Sequence, residues 1–187
     1  MDRNTIERNK TQAASDQGGQ GVPTGTDAAG AAFWRFSLAL YARPGVAGAL
    51  IALQDRAGLD VNLILFGLWV GARHGVELES AGFAAAAEAV AEPNRVVQNL
   101  RALRRQLGAD DDDIRRLRRA LLRYELAAER QVQNRLADGF ASGTLPHAPG
   151  DRRSASLANL ARCLGDQSES PEAATLGEAV RALMRRA

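Results

Sequence analysis

The run from Val61 to Val70 carries a single polar side chain, Asn62, and it limits what the chain can become. At about half the length that spans a bilayer, it is too short to cross one. It is too apolar to lie on a surface, so it belongs in a protein core. A buried strand would suit so apolar a run as well. Its borders favour a helix. Asp60 is an N-cap residue, able to accept hydrogen bonds from the first free amides. Arg73 and His74 stand at the negative end of the helix dipole, and Gly75 supplies a stop. The sequence therefore predicts a largely buried helix between Asp60 and Gly75.

The remainder reads as helix after helix. Phe33, Trp34, Phe36, Leu38, Leu40 and Tyr41 predict an almost wholly apolar helix from about Ala31 to Ala42. Pro44, a good first-turn residue, opens a second with Val46, Leu50 and Leu53, stopped by Gly58. An alanine-rich helix covers Ser80 to Ala91. After Pro93, Val96, Leu100, Leu103 and Leu107 recur at helical spacing up to Gly108. The longest helix is expected near residues 111–137. Its stripe is Ile114, Leu117, Leu121, Tyr124, Ala128, Val132 and Leu136, broadened by Leu122 and Leu126. A loop over 139–150 precedes two short helices. One carries Leu157, Leu160 and Leu164; the other is capped by Ser170 and carries Leu176, Val180 and Leu183. No segment alternates as a strand would, and no repeat recurs at a fixed period. The expected fold is all-α, a compact multi-helix bundle forming one domain over 31–187. Residues 1–30, rich in Gln, Gly, Thr, Ser and Asp, show no periodic apolar face and read as a disordered tail.

Composition fits this picture and narrows function only a little. Hydrophobic residues make up 45% of 187 residues, enough for one core. The net charge of +2 is too small to argue for a polyanionic partner, although the pI is 9.2. Basic charge is almost all arginine, Lys10 being the only lysine. Cys163 is the only cysteine, which excludes an intrachain disulfide framework and a cysteine-based metal site. With no apolar leader at the N-terminus and no spanning segment, a cytoplasmic protein is expected.

Several stretches resemble a known family. Phe33-Trp34-Arg35-Phe36-Ser37-Leu38-Ala39-Leu40-Tyr41 is followed by Arg43-Pro44-Gly45-Val46, then Leu53-Gln54-Asp55, then Asp60 through Trp69. Weaker matches come at Val96-Val97, at Leu100 to Arg105 and at Glu125 to Arg130. Together they resemble a family of small uncharacterised proteobacterial proteins, a domain of unknown function, from roughly Phe33 to the C-terminus. Such proteins often carry a tryptophan just before the Val-Val segment, where this chain reads Ala91-Glu92-Pro93-Asn94-Arg95. The resemblance implies a helical fold and assigns no activity.

Two groups of residues are candidates for function. The first is a pocket or polar helix-cap site made by Trp34, Asp60, Asn62, Trp69 and Arg73, with Asn62 the polar exception in its apolar run. As a purely structural matter, Asp60 caps a helix and Asn62 binds neighbouring backbone. The second is a phosphate or partner surface of Arg101, Arg104, Arg105, Arg115, Arg116, Arg118 and Arg119. Between Arg101 and Arg123, eight arginines stand against four aspartates. A solvated helix face is the simpler account of it.

Other features read as structure. Asp110 to Asp113 opens a helix, and Asp111–Arg115 and Asp112–Arg116 are spaced for i,i+4 pairs rather than for metal binding. Gly67 and Gly71 invite close approach of another helix. His74, His147 and Cys163 form no recognisable catalytic or ligating set. No glycine-rich phosphate loop or dinucleotide fingerprint is present, so neither cofactor nor metal is expected.

The reading is therefore a non-enzymatic helical adaptor or regulatory protein that acts through a protein partner or self-association. Two alternatives stay open: nucleic-acid binding through the Arg101–Arg123 surface, and an enzyme or carrier for an apolar ligand near Trp34, Asn62 and Trp69.

Overall fold

The structure, a computed structural model, describes residues 25–108 and 111–185. It is an all-α bundle. In chain order the helices are α1 (Gly25–Tyr41), α2 (Val46–Ala57), α3 (Val61–His74), α4 (Ser80–Ala89), α5 (Ala91–Gln106), α6 (Asp112–Ala141), α7 (Arg152–Leu164) and α8 (Pro171–Met184). Among the described residues no single helix is long and apolar enough to cross a membrane.

The central helix is α3, and its ends form as local chemistry dictates. The Asp60 carboxylate accepts the Asn62 N–H at 2.8 Å, and Gly75 closes the helix in the left-handed region at φ 65. From Ile64 to Ala72 every residue is buried. Gly71 lets α7 come close: a Cβ there would stand 2.4 Å from the Ser156 backbone. The small-residue pair thus serves an intrachain crossing. The fully buried Asn159 holds the same junction. Its Nδ2 donates to the Gly67 and Val76 carbonyls at 3.0 and 2.8 Å, and its Oδ1 accepts the Leu78 N–H at 2.8 Å.

Phe33 on α1 stacks on Trp69 of α3 with centroids 5.0 Å apart, and Phe66 and Phe140 close around them. This aromatic cluster is the densest part of the core.

The structure departs from the sequence reading at several places. Helix α1 begins at Gly25, inside the stretch read as tail, and the buried Gly30 packs on Asn134 of α6. The rest of that tail, residues 1–24, lies outside the described residues. Helix α2 starts at Val46 rather than Pro44, because Gly45 takes a left-handed φ of 81 that breaks the helical path. The expected 139–150 loop is shorter, since α6 runs on to Ala141. Within it lies β2 (His147–Pro149), paired antiparallel with β1 (Val76–Leu78) so that Val76 faces Pro149 and Leu78 faces His147. Asp111 caps α6, so the ion pairs slip to Asp112–Arg115 and Asp113–Arg116, at i,i+3.

The buried face of α5 is rotated from its predicted stripe, while α6 keeps Leu121, Leu122, Leu126, Val132 and Leu136 of its stripe and adds polar side chains to it. In α6 the interior receives Leu121, Leu122, Glu125, Leu126, Glu129, Val132 and Gln133, while Leu117 is exposed and Tyr124 is 67% exposed. In α5, Pro93, Val97 and Arg104 turn inward, and Val96 and Leu103 are left in solvent. Polar pairing across the two helices, described next, sets this rotation.

Candidate functional site

The turn Gly58-Leu59-Asp60 sends the chain from α2 into α3, and α5 crosses in front of it. Between them opens a cleft of about 560 Å³. The end of α2 supplies Gln54 and Asp55. The start of α3 supplies Asp60 and Asn62. Helix α5 adds Asn94, Gln98, Arg101 and Arg105, and Glu129 of α6 forms the back. Tyr41 comes from the last turn of α1.

Hydrogen bonds hold the walls in place. Asn94 donates its side-chain amide to the second Asp60 oxygen. Arg101 reaches three acceptors at once: Glu125 Oε1 at 2.9 Å, Glu129 Oε1 at 2.8 Å and Gln54 Oε1 at 2.5 Å. Beside it the buried Arg104 donates from Nε to Glu125 Oε2 at 2.7 Å, and the more open Arg105 donates to Asp55 at 2.9 Å. Asn62 closes a second relay. Its Oδ1 accepts from Gln133 Nε2 at 3.2 Å, and Gln133 Oε1 lies 3.3 Å from the Ser37 hydroxyl of α1. The polar exception in the apolar run is thus the end of a buried chain linking α3, α6 and α1.

The electrostatics follow from this packing. Burial raises the Asp60 carboxyl above its ordinary range, against the pull of the Asn62 and Leu63 amides and Asn94. Burial works against charge on Arg101 and Glu125 too, yet pairing wins for both. The Arg101 guanidinium is held up by Glu129 and Glu125, and the Glu125 carboxyl is held down by Arg104 and Arg101. The cleft is lined by amides, carboxylates and guanidiniums. It offers hydrogen-bond recognition, and among the described residues its wall contains no cysteine, serine, histidine or lysine nucleophile.

The structure brings together two residues from each group marked in the sequence. Asp60 and Asn62 meet Arg101 and Arg105 in this cleft, though they were expected at different sites. Trp34 and Trp69 do not reach it. Trp34 is buried with the Arg130 guanidinium 5.2 Å above its ring, and Trp69 fills the aromatic core. Arg73 lies at the far end of α3, over Phe36 at 6.0 Å.

Of the other arginines, Arg104 is buried on Glu125. Arg115 and Arg116 pair with Asp112 and Asp113. Arg118 donates to the Arg104 and Leu107 carbonyls, closing the end of α5. Arg119 stays on the exposed face of α6. The positive count over Arg101–Arg123 omitted Glu125 and Glu129, just beyond it on α6, and Asp55 from α2.

Sequence reasoning missed Gln54, Asn94, Glu125, Glu129 and Gln133. For the last three a signal existed. They lie four apart on α6, among Leu122, Leu126 and Val132, where an acidic row breaks the apolar face. Among the described residues, no group of His, Cys, Asp and Glu is arranged to hold a metal ion.

No curated protein and no solved structure matches this chain. A family model described as "Protein of unknown function (DUF2390)" matches residues 32–136, a span that holds every residue lining the cleft but stops short of α7 and α8. The chain belongs to that family.

Proposed function

We propose that the protein is a non-enzymatic binding protein whose cleft at the α2–α3 turn takes a small polar ligand with both amino or amide and carboxylate groups. One observation carries the reading. Tyr41, Gln54, Asp55, Asp60, Asn62, Arg101, Arg105 and Glu129 are scattered through the span 32–136 that the family model matches, yet they converge on one cleft. Asp60 and Asp55 suit cationic or N–H groups, the exposed Arg105 suits a carboxylate, and the amides of Asn94 and Gln98 fix orientation. This replaces an apolar ligand between the tryptophans with a polar one at the other side of Asn62. The reading takes the protein to act in the cytoplasm, where a lone thiol such as Cys163 stays reduced.

The test is a thermal-shift screen of amino acids and small amides on the whole chain, followed by calorimetry of the hits. Asn94→Ala should abolish binding and Arg119→Gln should leave it intact. A panel without hits, or hits indifferent to Asn94→Ala, overturns the reading.

A second reading, an adaptor for a protein partner, rests on exposed apolar side chains. Val96 and Leu103 on α5, and Leu117 and Tyr124 on α6, stand in solvent, and α6 also carries Arg115, Arg116 and Arg119 on its exposed face. Pull-down from cell extract should return a stoichiometric partner that Leu103→Asp no longer retains.

A further inference from the structure

Five arginines meet at the other end of α3, away from the cleft just described. Arg73 comes from the last turn of α3, Arg152 and Arg153 from the first turn of α7, and Arg181 and Arg185 from the end of α8. They surround a separate cleft of about 370 Å³ whose apolar part is Phe36, Ala72, Leu183 and Met184. A backbone hydrogen bond from Gly150 N–H to the Gly75 carbonyl, at 2.7 Å, fixes the start of α7 beside the end of α3.

The charges here are unbalanced, unlike those on α5. Arg101, Arg104, Arg105, Arg115 and Arg116 each have a carboxylate partner. None of the five guanidiniums around this cleft has one among the described residues. The one carboxylate in the lining, Asp151, is used as the cap of α7, accepting from the Arg153 and Ser154 amides and the Ser154 hydroxyl. The Nε–H of Arg181 is buried without a hydrogen-bond partner. The combined field reaches His74, whose pKa burial lowers and the nearby Arg152 and Arg73 lower further.

The helix dipole accounts for Arg73 and Arg181, in the last turns of α3 and α8, but not for the arginines that open α7. Arg152 and Arg153 sit at the positive pole of α7, where cations are disfavoured. Three more guanidiniums converge on them, and like charges at close range repel. Local rules broken without local compensation are expected at binding sites. A multiply charged anion would reverse every one of these penalties, because guanidinium forks match phosphoryl oxygens two at a time.

We propose that this arginine cleft binds a small organic phosphate with more than one phosphoryl group. The phosphoryl oxygens take the guanidinium donors, and the uncharged part of the molecule lies against Ala72, Leu183 and Met184. The cleft volume suits a molecule of nucleotide size. The site shares no lining residue with the Asp60 cleft, so either assignment stands or falls alone.

Calorimetry on the whole chain at about 150 mM salt, where non-specific attraction is largely screened, tests it with two probes, adenosine triphosphate and inorganic triphosphate. The nucleotide should bind saturably and one-to-one, more tightly than inorganic triphosphate. Arg73→Gln combined with Arg152→Gln should weaken it by about tenfold or more, two charge-assisted contacts being lost. Arg119→Gln should not change it. Without ligand the double variant should melt close to the parent, the loss of Arg73 at the end of α3 offsetting the repulsion relieved at α7; with nucleotide, only the parent should gain thermal stability. No saturable heat at millimolar probe overturns the proposal, as does an equal loss in Arg119→Gln. Equal affinity for the two probes overturns the organic part of it. Tighter, steeply salt-dependent binding of a DNA oligonucleotide overturns the small-molecule assignment in favour of a nucleic-acid surface.

Discussion

Replacing Glu125 tests the packing on which the α5–α6 interface turns. Its side chain is 5% exposed and receives Arg101 Nε at 2.9 Å, Arg104 Nε at 2.7 Å and Arg104 Nη2 at 3.3 Å. Arg101 keeps Glu129 and Gln54 when Glu125 is lost. Arg104 loses both of its bonds to Glu125, and its side chain is 7% exposed. Glu125→Leu therefore takes the Glu125 carboxylate from a buried guanidinium, and breaking such a pair typically costs about 3–5 kcal/mol. Converting Arg104 as well, to Met, removes the stranded charge and leaves two apolar side chains in contact. The double variant should recover most of that loss, and the cycle should show a coupling of about 1–3 kcal/mol.

Urea melts at neutral pH measure all four proteins. Acidification gives an independent check. The folded Glu125 pKa is depressed, so its contribution is complete above the unfolded value, about 4.3, and is lost as pH falls through the lower folded value. Glu125→Leu should accordingly lose less stability than the parent between neutral pH and the acid limb. If Glu125→Leu and the double variant melt alike, Arg104 does not depend on Glu125, and the rotated face of α5 loses its explanation.

Other outcomes follow from the core. Trp69→Ala should cost about 3–5 kcal/mol in a urea melt, because the ring is buried against Phe33, Phe66 and Phe140. Gly71→Ala should reach or exceed the upper end of the usual 1–3 kcal/mol overpacking cost, about 3 kcal/mol, since a Cβ would meet the Ser156 backbone and no rotamer change relieves that. Cys163, whose thiol burial pushes up to about 12, should react with a disulfide reagent at neutral pH far more slowly in the folded protein than in urea.

What the sequence showed plainly was local. Asp60 as a cap and Gly58 and Gly75 as stops need only neighbouring backbone to act, and all three hold. The aromatic cluster was legible because no other environment suits so many large rings together. The short ladder of β1 and β2 was not, since three-residue strands show no alternation and one ends in Pro149. What keeps it in place is Asn159, distant in sequence, which satisfies the Val76 and Leu78 backbone.

The site was half legible for a related reason. A search for apolar periodicity assumes that charged side chains mark the solvent face, and on α6 that assumption fails. Glu125, Glu129 and Gln133 form one inward row, each a turn from the next. Glu125 anchors Arg104 and Arg101, Glu129 anchors Arg101, and Gln133 joins Asn62 to Ser37. Through this row α6 grips α5, α3 and α1, and through Arg101 it reaches Gln54 on α2. A buried polar row of this kind asks for every member to be satisfied, because each unmet group costs more inside than in water. It therefore fixes the angular setting of four helices more narrowly than apolar contacts, which tolerate sliding. The cleft opens where that row meets the Asp60 turn. Its shape is set by pairings that predate any ligand, so a polar molecule entering it would find its hydrogen-bonding groups already held in place.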